Sequence, residues 1–246
     1  MFPGTFSASV FLKTATYTII GTLILIYQIS QYYHHEKPFP DCWISGCAGH
    51  YPEFVFFRIA TISGSLLVLL GWLTNHFYLR SIARENAFPL YQYYPQIPMI
   101  CGMIGAMLLM GSTANIDTGK ERGDWHSFCA STFFVFTLIA QIYNTTICTM
   151  IYLRIKVLSL ANVVFKLILL VLIVLQVIWS SSVSTWEEYQ NQIPNSKGQF
   201  FEWTITFTVI LGFYSMALDC QNFKFVYQSV KTRDQELEQL EWSVIA

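Results

Sequence analysis

Few side chains in this sequence are equipped for chemistry, and they fall in a narrow set of places. Glu53 and Arg58 stand close together, and Asn115 and Asp117 follow a run of small residues. Asp124 and His126 come next, and Glu202 opens the last apolar stretch. Histidine is the side chain whose ordinary titration range brackets neutral pH, so His126 is the candidate catalytic residue, a general base able to take a proton from a hydroxyl. The planar guanidinium fork of Arg58 suits a phosphate, with Glu202, Asn115 and Asp117 as further candidates around the same polar ligand. Glu53 and Arg58 are five residues apart, outside the ideal helical pairing distance, so Arg58 is expected to pair across helices with Glu202 or Asp117. The competing reading is that all of these are interfacial residues whose polar ends reach into the water layer.

The elements that must position these residues are apolar. Hydrophobic residues make up 54% of the 246 and charged residues only 12%, against roughly a quarter charged in a soluble domain. A bilayer core needs about 20 mostly apolar residues per helix. Six such runs are present, at about residues 11–32, 54–79, 96–116, 125–153, 163–181 and 200–225. The expected fold is therefore all-α: a polytopic membrane protein in which residues 1–233 form a compact bundle of six transmembrane helices. Residues 234–246 then form an acidic cytosolic tail. The first run has bulky Tyr32 and Tyr33 after it rather than a small-residue cleavage site, so it is read as a retained span.

Tyrosine and tryptophan crowd the span ends (Tyr32, Tyr33, Trp43, Tyr91, Tyr93, Tyr94, Trp125, Trp186, Trp203), as an interfacial belt requires. Nine Lys and Arg residues, Lys166 among them, fall on the side that holds both termini and five on the other. The positive-inside rule then puts both termini in the cytosol. On that orientation the candidate residues gather in the lumenal leaflet, delivered by four spans, where they would line a polar pocket for an anionic or hydroxyl-rich lipid headgroup. Cys42 and Cys47 lie in the first lumenal loop, five residues apart, where an oxidising lumen permits a disulfide; two free thiols are the alternative.

Other polar residues have plainer readings. Asn75, His76, Asp219, Gln221 and Asn222 sit at the cytosolic ends, and His76 reads more readily as an interface residue than as a catalyst. Gln141, Tyr143 and Asn144 read as hydrogen-bonding groups between helices. Asn144-Thr145-Thr146 matches a glycosylation pattern but lies at membrane depth. Gly102, Gly105, Ala106 and Gly111, with Ser63, Gly64, Ser65 and Gly71, would let helices approach closely. The tail KTRDQELEQLEWSVIA reads as a short amphipathic helix, and Tyr227-Gln228-Ser229-Val230 has the form of a tyrosine sorting signal. The sequence has no glycine-rich phosphate loop, nucleophile elbow, zinc spacing, channel-filter motif or obvious inverted repeat.

Five segments in register resemble one known group. Ile44-Ser45-Gly46-Cys47-Ala48-Gly49 followed by Pro52-Glu53 is similar to the first-loop pattern of the FRAG/DRAM/SFK family of six-span membrane proteins. Ser112-Thr113-Ala114-Asn115, His126, Glu202-Trp203-Thr204 and Asp219-Cys220-Gln221 resemble later motifs of that family. Glu-Trp-Thr and Ile-Ser look most like the DRAM branch, lysosomal and endosomal modulators of autophagy. Arg58 with Asn75-His76 looks more like the FRAG branch, which contains the Golgi factor for fatty-acid remodelling of GPI anchors, described as an acyltransferase. The chain departs from the first pattern at Gly46–Gly49 and from the second at Phe57.

The resemblance implies a GPI-anchor lipid remodelling factor acting from the lumenal leaflet. In it His126 would be the base, Arg58 would hold the inositol phosphate, and Glu202 would orient His126 or Arg58. The alternative is a non-catalytic regulator of autophagy or phosphoinositide signalling. The expected partners are membrane lipids (GPI or phosphoinositide lipids) and other membrane proteins, not nucleic acid, with no cofactor and no metal. The expected location is the Golgi or ER membrane, with the lysosomal or plasma membrane as alternative.

Overall fold

The computed structural model describes residues 4–114, 120–183, 196–221, 223–230 and 239–245. Six long helices dominate them: α1 (Ala8–Tyr32), α3 (Glu53–Glu85), α4 (Gln96–Ala114), α5 (Lys120–Ile155), α6 (Leu160–Val183) and α7 (Ser196–Asp219). A single short turn, α2 (Ile44–Cys47), interrupts the loop between α1 and α3. All six long helices are long and apolar enough to cross a membrane. Their outward faces carry exposed Leu, Ile, Val and Phe, including Leu167, Ile168, Val171, Leu175 and Ile178 on α6. In water such a surface would aggregate; in lipid it is the surface that a spanning bundle must present.

The helices close into a ring. α4 lies between α3 and α5, α6 between α5 and α7, and α1 between α7 and α3. Small residues set the spacing. A Cβ on Gly102 of α4 would stand 2.3 Å from the ring of Trp72 on α3, so only glycine lets that indole lie against α4. Gly212 of α7 plays the same part for Gln141 of α5, whose amide a Cβ would meet at 2.2 Å. The freed amide donates to the Val209 carbonyl at 3.1 Å, one of the interhelical hydrogen bonds expected for that patch. Asn75 donates to Asn144 at 2.8 Å, while Tyr143 is exposed and stays outside the patch.

Two apolar clusters fill the ring. The larger one runs from its middle to the end that carries the termini, around Trp72, Leu79, Ile147, Ile151 and Met216. The smaller lies under α2 and joins Leu23, Ile26, Cys42, Cys47, Phe57 and Trp203.

Several boundaries differ from the expected ones. α3 continues through Arg80 and Arg84 to Glu85, since a helix is free to project beyond the bilayer once its residues are charged. α7 ends at Asp219, earlier than the expected 225, because the chain turns there and becomes extended. Strands β1 (Gly4–Ser7), β2 (Lys224–Val230) and β3 (Gln239–Ile245) pair antiparallel in that order, which brings the two ends of the chain together at one end of the bundle. The second half of the tail is thus a strand and not the expected amphipathic helix. Its β-branched and aromatic residues gain backbone partners in a sheet that an isolated short helix lacks. The Tyr227–Val230 motif lies within β2, with β3 paired along its whole length.

Candidate functional site

A cavity of about 100 Å³ lies inside the ring at the end that carries α2. His126 and Glu202, two of the candidate residues, both line it, and Ser45, Ser112 and Thr113 add further polar groups. Deeper walls are apolar: Val68, Leu109, Phe133, Val209 and Phe213. Glu202 and Phe213 are three turns apart on α7, which places the ends of the cavity roughly 16 Å apart at a rise of 1.5 Å per residue. The hydrocarbon core of a bilayer is about 30 Å thick, so this slot runs about the depth of one leaflet. His126, Glu202 and Ser45 gather toward one end of it, and the walls toward the other are apolar.

His126 is fixed by α4. Its Nδ1 lies 2.9 Å from the Ser112 carbonyl oxygen and 3.0 Å from the Ser112 hydroxyl. A carbonyl can only accept, so in the neutral ring Nδ1 carries the proton and Nε2 keeps its lone pair. That is the tautomer a general base needs. Ser112 is thus the group that holds the His126 ring. Ser112 is buried, and spacing alone does not find it, because serine in a run of small residues reads first as a packing residue.

Glu202 has a different task. Its carboxylate accepts the Ile44 backbone N–H at 2.8 Å, at the start of α2. Next to it Trp203 donates its indole N–H to the Cys42 carbonyl at 2.9 Å. The second turn of α7 thereby holds the α2 loop in place over the cavity, and Ser45 of α2 reaches the cavity wall. Trp203 is 6% exposed, so it leaves the expected interfacial belt and joins the core under α2. Tyr32, Tyr91, Tyr94 and Trp125 are exposed at helix ends, as a belt requires.

Cys42 and Cys47 are buried free thiols in the same loop, hydrogen-bonded to one another. Burial pushes both above the usual thiol range, Cys47 the further.

Arg58 and Glu53 do not line the cavity. Arg58 lies over the Phe54 ring at 5.1 Å on α3 and is half-buried. Glu53 is fully buried and bonds His35 Nδ1 at 2.6 Å, with His35 stacked on Tyr33 and beside His50. Asn115 and Asp117 lie outside the described residues, as does Trp186, and nothing is described of the Asp124 side chain. His76 bonds the Pro95 carbonyl at 3.1 Å and ties α3 to the start of α4, a structural role.

A second polar region was not expected. Lys166 counts in the sequence as a cytosolic-side charge, yet it is 3% exposed and bonds Asp219 at 3.0 Å and the Ser215 hydroxyl at 2.9 Å. Asn162 bonds the same carboxylate and also donates to the Ser215 carbonyl at 3.0 Å, and the Cys148 thiol points to Asp219 at 3.8 Å. Beside this network is a hollow of about 10 Å³, room for about one water molecule. Lysine 49 residues before its serine partner gives no sign in sequence that helix rotation will turn it inward.

Among the described residues no group of three or more His, Cys, Asp and Glu side chains could hold a metal ion. Comparison with curated proteins and with solved structures gives no match. The ring of six spans, the α2 turn and the cavity beneath it fall instead within one description. The family model for the Frag1/DRAM/Sfk1/Cwh43P N-terminal domain matches residues 7–223, and the chain belongs to that family.

Proposed function

We propose that this protein remodels the fatty-acid chains of GPI-anchor lipids from the lumenal leaflet, with His126 as the general base of an acyl transfer. The observation that carries the reading is the cavity that joins His126 and a polar end to an apolar slot about one leaflet deep. That shape suits a lipid whose ester linkage sits beside His126 and whose chain runs down toward Phe213. His126 Nε2 takes the proton of a lipid hydroxyl as its oxygen attacks the carbonyl carbon of an acyl donor. The new ester bond forms, the bond to the donor's leaving group breaks, and His126 returns the proton to that group. Glu202 acts indirectly, by holding α2 over the reacting end. Arg58, half-buried near the start of α3, has a guanidinium suited to an inositol phosphate.

The same reading places both termini in the cytosol and α2 in the lumen, following the excess of Lys and Arg on the terminal side. Cys42 and Cys47 then face an oxidising compartment, where their contact favours a disulfide; peptide mapping without reduction reads it directly. The Golgi or ER membrane is the compartment consistent with this substrate.

The test is mass spectrometry of GPI-anchor acyl chains in cells that lack the protein. Loss of saturated chains, restored by wild type and not by His126→Ala, is the expected result. An unchanged profile in the null cells would overturn the reading and favour a regulator, to be followed through autophagic flux and phosphoinositide levels.

A further inference from the structure

We infer that Phe213, backed by Trp72, is the stop that sets the length of the acyl chain this cavity accepts. The inference rests on the reading of the cavity as an acyl site and adds a specificity-determining residue to it. Phe213 lines the deep end of the cavity, with Val68, Phe133 and Val209 around it. It meets the Trp72 indole edge-to-face, with centroids 5.9 Å apart and planes at 77°.

Trp72 is tightly enclosed. It is 1% exposed, and its ring lies against α4 in space that a side chain at Gly102 would fill. A floor made of one aromatic ring braced on another cannot yield by rotamer change as a leucine or methionine floor can.

The far side of this floor is chemically different. Trp72 also borders the small hollow lined by Gln141, Asn144, Thr145, Lys166 and Ser215. A methyl terminus pushed past Phe213 would enter a polar chamber beside a buried ion pair and displace hydrogen-bonding groups without replacing them. The stop is thus steric at Phe213 and polar behind Trp72. Both barriers act on the end of the chain, while His126 and Glu202 act at its head.

The test uses purified full-length protein and a photoactivatable lysolipid in competition with unlabelled lysolipids of stepped chain length. The same variants are also expressed in null cells for GPI-chain profiling. Phe213→Ala and the milder Phe213→Leu should move the best-competing chain longer by about two to four carbons, roughly the reach of one helical turn. Phe213→Trp should move it shorter.

An unchanged optimum in folded Phe213→Leu and Phe213→Trp proteins, or no competition at any length, overturns the inference. If the optimum shifts but GPI chains in null cells are normal, the stop stands and the GPI reading fails. If GPI chains depend on the protein but the variants leave their length unchanged, the stop fails and the GPI reading stands.

Discussion

The two polar regions of this bundle differ in how completely their groups are paired. Around Lys166 each charge has its partner: Lys166 bonds Asp219 and Ser215, and Asp219 also takes Asn162 and the Cys148 thiol. The free space left is about 10 Å³. Around His126 one ring nitrogen is committed to Ser112, and the residue borders a cavity ten times larger. At membrane depth an ionisable group persists either because it is paired or because it works on something that enters. The first region has the character of a lock between α6 and α7, and the second that of a site. Burial alone does not separate them; the pairing and the space beside it do.

Substitutions that separate activity from stability sharpen this contrast. The largest effect is expected from His126→Ala, a fall in acyl transfer of roughly 10²- to 10⁴-fold, since it removes the proposed general base. Its midpoint of unfolding in detergent should stay near that of wild type. Next comes Lys166→Met, which leaves Asp219 buried without its cation and should cost about 3–5 kcal/mol in the same unfolding measurement. Activity per folded molecule should be retained, and a compensating Asp219→Leu should recover much of the loss. A fall in activity with unchanged stability in Lys166→Met would break the comparison.

Smaller effects test details. Ser112→Ala removes the hydroxyl but keeps the backbone carbonyl that fixes the His126 tautomer, so acyl transfer should drop less than about tenfold. Asn75→Ala should cost about 0.6 kcal/mol and at most about 1.7, the range for a hydrogen bond between spans, read by unfolding in detergent. Least of all, Cys42 and Cys47 should react slowly with alkylating reagents in the reduced protein. Their raised pKa values mean that the reactive thiolate is scarce at neutral pH and grows only as pH rises beyond the usual thiol range. Fast labelling at neutral pH would show that the α2 loop opens.

What could be read from the sequence follows from length and sign. An apolar run long enough to cross a bilayer is visible without knowing its neighbours, and all six spans were. His126 and Glu202 stood out as ionisable residues at the ends of apolar runs, and the structure brings both to one cavity. Their separate tasks were not legible, since the Ile44 N–H that Glu202 binds lies 158 residues away. The Lys166–Asp219 pair was illegible for a related reason: the rotation of α6 that turns Lys166 inward depends on α7. Trp203 shows the same limit, because a tryptophan at a span end looks alike whether it faces headgroups or the α2 loop.

The most direct test of the central claim is photo-cross-linking of the purified protein with two lipids, one carrying a diazirine near the acyl carbonyl and the other at the chain end. Labelling near His126 and Ser45 by the first, and near Phe133 and Phe213 by the second, is the predicted result. Labels confined to lipid-facing residues such as Val171 and Ile178 of α6, with the cavity residues unlabelled, would contradict it.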